Sequence, residues 1–335
     1  MHSSLPETMK VFELTSYDAQ KEHFRLREKP LPRLKEKDVL IRMSASPINP
    51  SDLMYVRGLY GIKKKLPSAP GFEGSGTIVK CGEGVSHLKE GMRVSCAAPH
   101  SGDGTWAEYM ATGEENCFPL IDSFSLEEAA TLFVNPLTAM AMVDMAIQEN
   151  RGGIVQTAAA GALGKMIIRL AHKKGLPIIN IVRKEEQRKS LEDIGAEYIL
   201  NSSEPNFRRE LKRLSKKLNA NMAFDAVAGD MCGILIEDLP FASKILIYGA
   251  LSEALVPLNA GLMIFQKKTI QGFWLSTWIY EKGIEEVLRI SKEVQENLAD
   301  ELKTDVHKKF SLDDAYEALE YYKQNMSKGK VLIVP

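Results

Sequence analysis

The stretch from Val155 to Arg183 constrains the fold more than any other part of the chain. It reads Val155-Gln-Thr-Ala-Ala-Ala-Gly161-Ala-Leu-Gly164-Lys-Met-Ile-Ile and continues into a second apolar run, Pro177-Ile-Ile-Asn-Ile-Val182. A strand, a turn of small residues, a helix from Ala162 to Lys174 and a second strand form a β-α-β unit. Such a crossover commits the chain to a parallel sheet covered on both faces. Ala159, Gly161 and Gly164 take the three positions of a G-x-G-x-x-G turn, with Ala for the first Gly. The first position needs a tight turn, which Ala tolerates at negative φ. The second lets backbone approach a pyrophosphate, and the third lets helix and strand touch. The first-turn amides of Ala162, Leu163 and Gly164 would face that anion, with the positive end of the helix behind them. Small residues at this spacing also serve ordinary packing; their place between a strand and a helix favours a dinucleotide loop.

The end of the second strand separates two cofactors. An acid there would accept hydrogen bonds from a ribose 2'-hydroxyl, as NAD sites require. This chain instead has Arg183 and Lys184, with Arg188 one turn later. Guanidinium groups make paired, charge-assisted contacts with a 2'-phosphate, so the expected cofactor is NADPH. The alternative is a solvated strand end.

The same βα rhythm continues beyond this unit. Glu185 to Ile194 reads as a helix, Tyr198-Ile-Leu as a strand and Phe207 to Leu218 as a basic helix with one apolar stripe. Ala223–Val227 and Lys244–Tyr248 read as further strands. Upstream, from about Met9 to Asp122, short β-like runs such as Val39–Ala45, Gly76–Lys80 and Arg93–Ala97 are broken by Gly and Pro, predicting an irregular β domain. Ser125 with Glu128 forms a capping box before a long apolar stretch to Met145. The tail offers a helix over Glu281–Leu298, a second over Leu312–Lys323 and a last strand, Lys330–Val334. The expected fold class is α/β, with a β-rich domain over residues 1–124, a doubly wound parallel sheet over 125–275 and a return segment over 276–335.

Composition removes several other classes. With 43 Lys plus Arg against 44 Asp plus Glu, the balance gives nucleic acid and anionic membrane no purchase. The four cysteines lie far apart, which suits free thiols in a reducing compartment better than a disulfide framework or a zinc knuckle. No apolar run reaches the roughly 20 residues of a membrane span, so a cytoplasmic protein is expected.

Seven stretches carry a resemblance. They are Ser46-Pro-Ile-Asn-Pro-Ser-Asp52, Gly58-Leu-Tyr-Gly61, Pro70-Gly-Phe-Glu-Gly74, Gly104-Thr-Trp-Ala-Glu108, Val134-Asn-Pro-Leu-Thr-Ala139, the Ala-x-Gly-x-x-Gly loop, and Gly272-Phe-Trp-Leu-Ser-Thr-Trp278. In this order they resemble the medium-chain dehydrogenase/reductase superfamily, in its zinc-independent NADPH:quinone oxidoreductase and 2-enoyl thioester reductase branch. The resemblance implies a GroES-like catalytic domain built from both chain ends, with a Rossmann domain inserted and the active site in the cleft. It also implies a homodimer joined edge to edge near Thr269–Phe273. Zinc-dependent relatives place Cys, His and Cys where this chain has Asn49, Phe72 and about Val134. Phe and Val supply no ligand, so no metal is expected.

The chemistry implied is hydride transfer from NADPH to a quinone, an enone or an enoyl thioester. Each of these develops negative charge on oxygen and so needs preorganised donors. The resemblance assigns Tyr60 as proton donor or carbonyl anchor, with Asn49 near the substrate carbonyl; a supporting turn tyrosine and a structural cap are their alternatives. It places Thr138, Gly249, Ala250, Phe273, Leu275 and Lys330 against the cofactor, and Phe273 equally suits core packing. Asp52 reads as an Asx-turn or supporting group. The run Lys63-Lys64-Lys65 reads as a solvated cluster, with contact to the phosphates of a thioester carrier as the alternative. The leading expectation is a quinone or enone reductase. A 2-enoyl-CoA or acyl-carrier-protein reductase is the runner-up, and a non-catalytic, crystallin-like NADPH-binding protein comes third.

Overall fold

The computed structural model describes residues 5–297 and 299–335, and the chain divides into two compact units. One comprises the residues up to Val134 with Leu288–Ala299 and Lys303–Pro335; the other comprises Asn135–Val287 with Asp300–Leu302.

In the second unit six strands run parallel in the order Tyr198–Asn201, Ile178–Val182, Gly153–Gln156, Ala220–Asp225, Lys244–Ile247, Thr269–Gly272. Numbered along the chain this is 3-2-1-4-5-6, the doubly wound Rossmann order. The sequence accounts for it. All five residues of Ile178–Val182 are buried, as a central parallel strand requires. The helix Ala162–Lys173 buries Met166, Ile167, Leu170 and Ala171 along one face. The order reverses between Gly153–Gln156 and Ala220–Asp225, so a crevice opens above the carboxyl ends of those two strands. The strand expected over Ala223–Val227 lies earlier, at Ala220–Asp225, because the Asp225 side chain turns the chain by accepting the Val227 amide at 2.9 Å. The basic helix Phe207–Lys217 buries Phe207, Leu211 and Leu214 and keeps its bases outside.

The first unit is a β-rich, GroES-like body. Its large sheet runs Val306–Ser311, Lys330–Val334, Asp38–Pro47, Glu73–Cys81, Arg93–Ala97, Cys117–Pro119, with Tyr109–Gly113 also on Asp38–Pro47. A hairpin of Thr8–Leu14 and Phe24–Pro30 stands beside it. The final strand pairs antiparallel with the end of Asp38–Pro47, setting Leu332 opposite Pro47 and Ile333 opposite Ser46. Phe12, Leu14, Ile48, Tyr55, Trp106, Leu319 and Ile333 form one buried core, so both chain ends share it.

Two expected helices are interrupted. The Ser125 capping box forms but supports only Leu126–Ala129, and a new helix starts at Val134–Gln148, where Pro136 suits a first turn. Glu281–Leu298 is divided at Gly283, whose φ of +77° ends Leu275–Lys282 before Ile284–Asn297 begins; Leu298 lies outside the described residues. Among the described residues no helix is long and apolar enough to cross a membrane.

Candidate functional site

In the nucleotide-binding unit the turn after Gly153–Gln156 is fixed by backbone and by buried side chains. Ala158 takes the left-handed conformation, φ +51°, so the tight bend falls one residue before Ala159. Ala159 keeps negative φ, and its amide bonds the Ile181 carbonyl at 3.2 Å. Gly161 is the N-cap of Ala162–Lys173 and offers no side chain, which leaves the amides of Ala162, Leu163 and Gly164 to an external acceptor. A Cβ on Gly164 would lie 2.3 Å from the Ala159 carbonyl oxygen, so only glycine lets helix and turn close. Gln156 ties the turn from below: its amide donates to the Gly164 carbonyl at 3.0 Å and to Asn180 at 2.7 Å. This is a cradle of backbone donors, as a pyrophosphate requires.

At the sheet's switch point Thr157 Oγ1 donates to buried Asp225 at 2.7 Å and accepts the Ala226 amide at 2.9 Å. Gly249 follows the neighbouring strand, and a Cβ there would approach the Ala226 carbonyl to 2.8 Å; Ala250 comes next. Neither Thr157 nor Asp225 was expected from the sequence. An acid ending a strand directly before a turn, opposite a threonine ending its neighbour, is the signal that was present.

The bases after the second strand separate. Arg183 and Lys184 are exposed, and the amides of both donate to Gln187 Oε1, at 3.0 and 3.1 Å. The Arg183 guanidinium forms no ion pair among the described residues. Arg188 is committed elsewhere, at 3.2 Å to Glu185, 2.8 Å to Glu204 and 3.1 Å to the Ile199 carbonyl. Thr138 is buried in Val134–Gln148. Phe273 spends its amide on the Ile247 carbonyl at 2.8 Å, leaving only its carbonyl to a ligand, whereas Leu275 opens a helix with its amide beyond the intrahelical ladder.

In the catalytic unit a buried polar cluster gathers residues distant in sequence. Asn49 caps Pro50–Val56, and its backbone amide bonds Asp52 Oδ2 at 2.7 Å. Its carboxamide is held at both ends: Nδ2 donates to Glu73 Oε1 at 2.9 Å, and Oδ1 accepts the Lys330 ammonium. Glu73 Oε2 accepts the Val134 amide at 2.8 Å. Burial dominates the titration of this group. It raises Glu73, brings Asp52 up to about 7 and lowers Lys330; attraction between Lys330 and the two carboxylates opposes each shift, while repulsion from Glu73 adds to that of Asp52. Lys330, expected against the cofactor, is thus buried and bonded to Asn49. Tyr60 is half-buried on the loop after the helix, its ring tilted by 43° against that of Phe72 with centroids 4.7 Å apart, and Phe72 meets Tyr55 edge-on at 5.4 Å. Lys63 and Lys65 are solvated, but Lys64 is buried, which corrects the reading of the run as one surface cluster. The reason is a clasp: the Tyr17 hydroxyl accepts the Lys64 amide at 2.7 Å and donates to its carbonyl at 2.8 Å.

These donors do not fit zinc. Phe72 presents a ring, Val134 presents a backbone amide to Glu73, and the Lys330 ammonium already occupies the Asn49 oxygen. A cation there would meet another cation and too few ligands.

Comparison with known proteins places the chain. Residues 35–122 match the family described as the alcohol dehydrogenase GroES-like domain, and residues 162–293 match the family described as zinc-binding dehydrogenase. The chain is 30% identical over 260 residues to the mitochondrial enoyl-[acyl-carrier-protein] reductase of Arabidopsis thaliana, covering 76% of this chain and 69% of the relative. Against the protein of that name from Rattus norvegicus it is 34% identical over 259 residues, with coverage of 76% and 69%. A solved structure, a provisionally named NADPH:quinone reductase from Mesorhizobium loti, is 33% identical with a TM-score of 0.91, covering 99% of this chain and all of the other. The second family name mentions zinc, but the matched residues are largely those of the nucleotide-binding unit, and Asn49 and Phe72 lie outside them. The chain belongs to the medium-chain dehydrogenase/reductase superfamily of oxidoreductases, in its zinc-independent branch.

Proposed function

We propose that this protein is an NADPH-dependent reductase of quinones and other α,β-unsaturated carbonyls that works without metal. The exposed Arg183 guanidinium, free of ion pairs among the described residues at the place a 2'-phosphate would take, carries the cofactor choice. The amides of Ala162, Leu163 and Gly164 would hold the pyrophosphate, with Thr138, Gly249, Ala250, Phe273 and Leu275 as further contacts. NADPH, when bound, supplies a hydride.

The chain's own residues supply the rest. Hydride at the β-carbon of an enone leaves negative charge on oxygen and calls for a proton at the α-carbon. The Tyr60 phenol donates to that oxygen or delivers that proton. Asn49 has a second Nδ2–H beyond the one given to Glu73, and its rotamer is fixed at both ends, which is the preorganisation an oxyanion donor needs. Lys330 acts as the partner that orients Asn49. A homodimer joined at the edge strand Thr269–Gly272 accompanies this reading, supported by the strongly exposed Leu255, Phe265 and Tyr280 of the same region.

The runner-up is reduction of 2-enoyl thioesters, favoured by the names of the two curated relatives. The test is NADPH oxidation with a quinone, a simple enone and a crotonyl thioester in parallel. The quinone or enone is expected to give the highest kcat/KM. A dominant thioester rate would transfer the assignment, and no turnover with any of the three would remove it.

A further inference from the structure

The turn after the strand Ala220–Asp225 holds a backbone conformation that its sequence does not favour. Ala228, the N-cap of the helix Gly229–Asp238, has φ +60° and ψ −152°. Glycine enters that region freely, whereas a residue with a Cβ is strained there and stays only where its surroundings impose it. Here one carboxylate imposes it. Asp225 is fully buried; its Oδ1 accepts the Thr157 hydroxyl at 2.7 Å and the Val227 amide at 2.9 Å, and its Oδ2 accepts the Ala228 amide at 3.2 Å. Thr157 braces the carboxylate from the neighbouring strand, and its oxygen also accepts the Ala226 amide at 2.9 Å.

This turn fixes a second one. The Asp225 carbonyl accepts the Tyr248 amide at 3.0 Å, the Ala226 carbonyl accepts the Leu251 amide at 3.0 Å, and the Val227 carbonyl accepts the Ser252 amide at 2.9 Å. Gly249 and Ala250 are thus tied down on both sides. Both are half-buried, and among the described residues their own amides have no partner. Two uncommitted donors at the carboxyl end of an inner strand of a doubly wound sheet suit an acceptor that a ligand brings.

We propose that Asp225 is a positioning residue of the dinucleotide site: its carboxylate imposes the strained conformation of Ala228 and, through the carbonyls of Ala226 and Val227, holds the Gly249 and Ala250 amides ready for an acceptor on the cofactor. The inference rests on the cofactor reading above and adds to it a residue that acts through its neighbours. The strain is met during folding, so that ordering the two amides costs nothing when the nucleotide binds.

Three full-length variants test it: Ala228→Gly, Asp225→Asn and the two changes combined, each titrated with NADPH by fluorescence and each melted. Ala228→Gly should raise Tm by about 1–4 °C, because glycine takes the same conformation without strain. Asp225→Asn replaces one acceptor oxygen by an N–H and leaves a donor of the turn unsatisfied, so NADPH affinity should fall roughly tenfold. In the Ala228→Gly background the same change should cost about threefold or less, since the turn no longer has to be forced. An aspartate that merely supports the fold would lower Tm in both backgrounds and show no such rescue of affinity. Equal losses of affinity in the two backgrounds therefore overturn the proposal, as does a lower Tm in Ala228→Gly or an Asp225→Asn protein that binds NADPH as tightly as the wild type. If Asp225→Asn does not fold, Thr157→Val, which removes the hydroxyl between Asp225 and the Ala226 amide, is compared in the same two backgrounds by the same criterion. A wild type that binds neither NADPH nor NADH would end the cofactor reading, and this proposal with it. Binding by the wild type without rescue by glycine would end this proposal alone.

Discussion

The turn from Thr157 to Gly164 and the cluster around Asn49 prepare for ligands in opposite ways. The turn offers main-chain amides, made available by the absence of side chains: Gly161 caps without a donor or acceptor of its own, and Gly164 lets the helix approach the Ala159 carbonyl. The cluster offers side chains whose geometry is set by one another, with Asn49 held between Glu73 and Lys330 and capped through Asp52. A backbone site tolerates changes in most neighbouring side chains and fails when a Cβ is added. A buried side-chain site fails when any member is shortened, because the remaining charges are then orphaned in a low dielectric.

The largest effect should therefore come from the cluster. Asn49→Ala leaves the Lys330 ammonium and one Glu73 oxygen unsatisfied, a loss of about 3–5 kcal/mol in unfolding free energy. Denaturant unfolding measures it. A loss of less than about 1 kcal/mol would mean that water replaces the carboxamide and that Asn49 is not the pin of the cluster.

Gly164→Ala should rank next. The added Cβ meets a carbonyl oxygen at 2.3 Å, and since neither atom belongs to a flexible side chain the turn must open, costing about 1–3 kcal/mol. NADPH affinity should fall with stability, because the displaced amides are the binding groups. Full affinity in this variant, read by fluorescence titration, would show that the turn adapts and would weaken the contrast with the cluster.

The two regions also differ in how far the sequence reveals them. The nucleotide-binding turn is local: strand, small residues and helix lie within a few dozen positions, and the apolar period and the Ala-x-Gly-x-x-Gly spacing give its strands, its helix and the place of Arg183. Only details shift, such as the bend at Ala158 and the strand ending at Asp225. The cluster is non-local. Asn49 and Glu73 are 24 residues apart, and Asn49 and Lys330 are 281 apart, so no window of sequence contains the contact. Glu73 sits in a stretch that carried the family resemblance, yet nothing beside it indicates that it bonds Asn49 and the Val134 amide. Lys64 is the clearest failure. Three consecutive lysines read as a solvated run, and nothing beside them indicates that the middle one is buried, its backbone held by the Tyr17 hydroxyl 47 positions away.

The smallest and most selective effect concerns the bases after the second strand. Arg183 and Arg188 look interchangeable as sequence, each one base among several. In the fold Arg183 is exposed and uncommitted, while Arg188 is braced by Glu185, Glu204 and the Ile199 carbonyl. Arg183→Ala should weaken NADPH binding by roughly 10- to 100-fold, the worth of a charge-assisted contact to phosphate, and leave NADH binding almost unchanged. Arg188→Ala should lower stability by about 1 kcal/mol or less, since its ion pairs are partly solvated, and shift NADPH and NADH affinity by the same small factor. Titration of both variants with both nucleotides decides the matter. Equal losses of NADPH and NADH in Arg183→Ala would leave the 2'-phosphate without its partner. Selective loss of NADPH in Arg188→Ala would mean that the guanidinium gives up Glu204 for the phosphate, and that the braced base, not the uncommitted one, selects the cofactor.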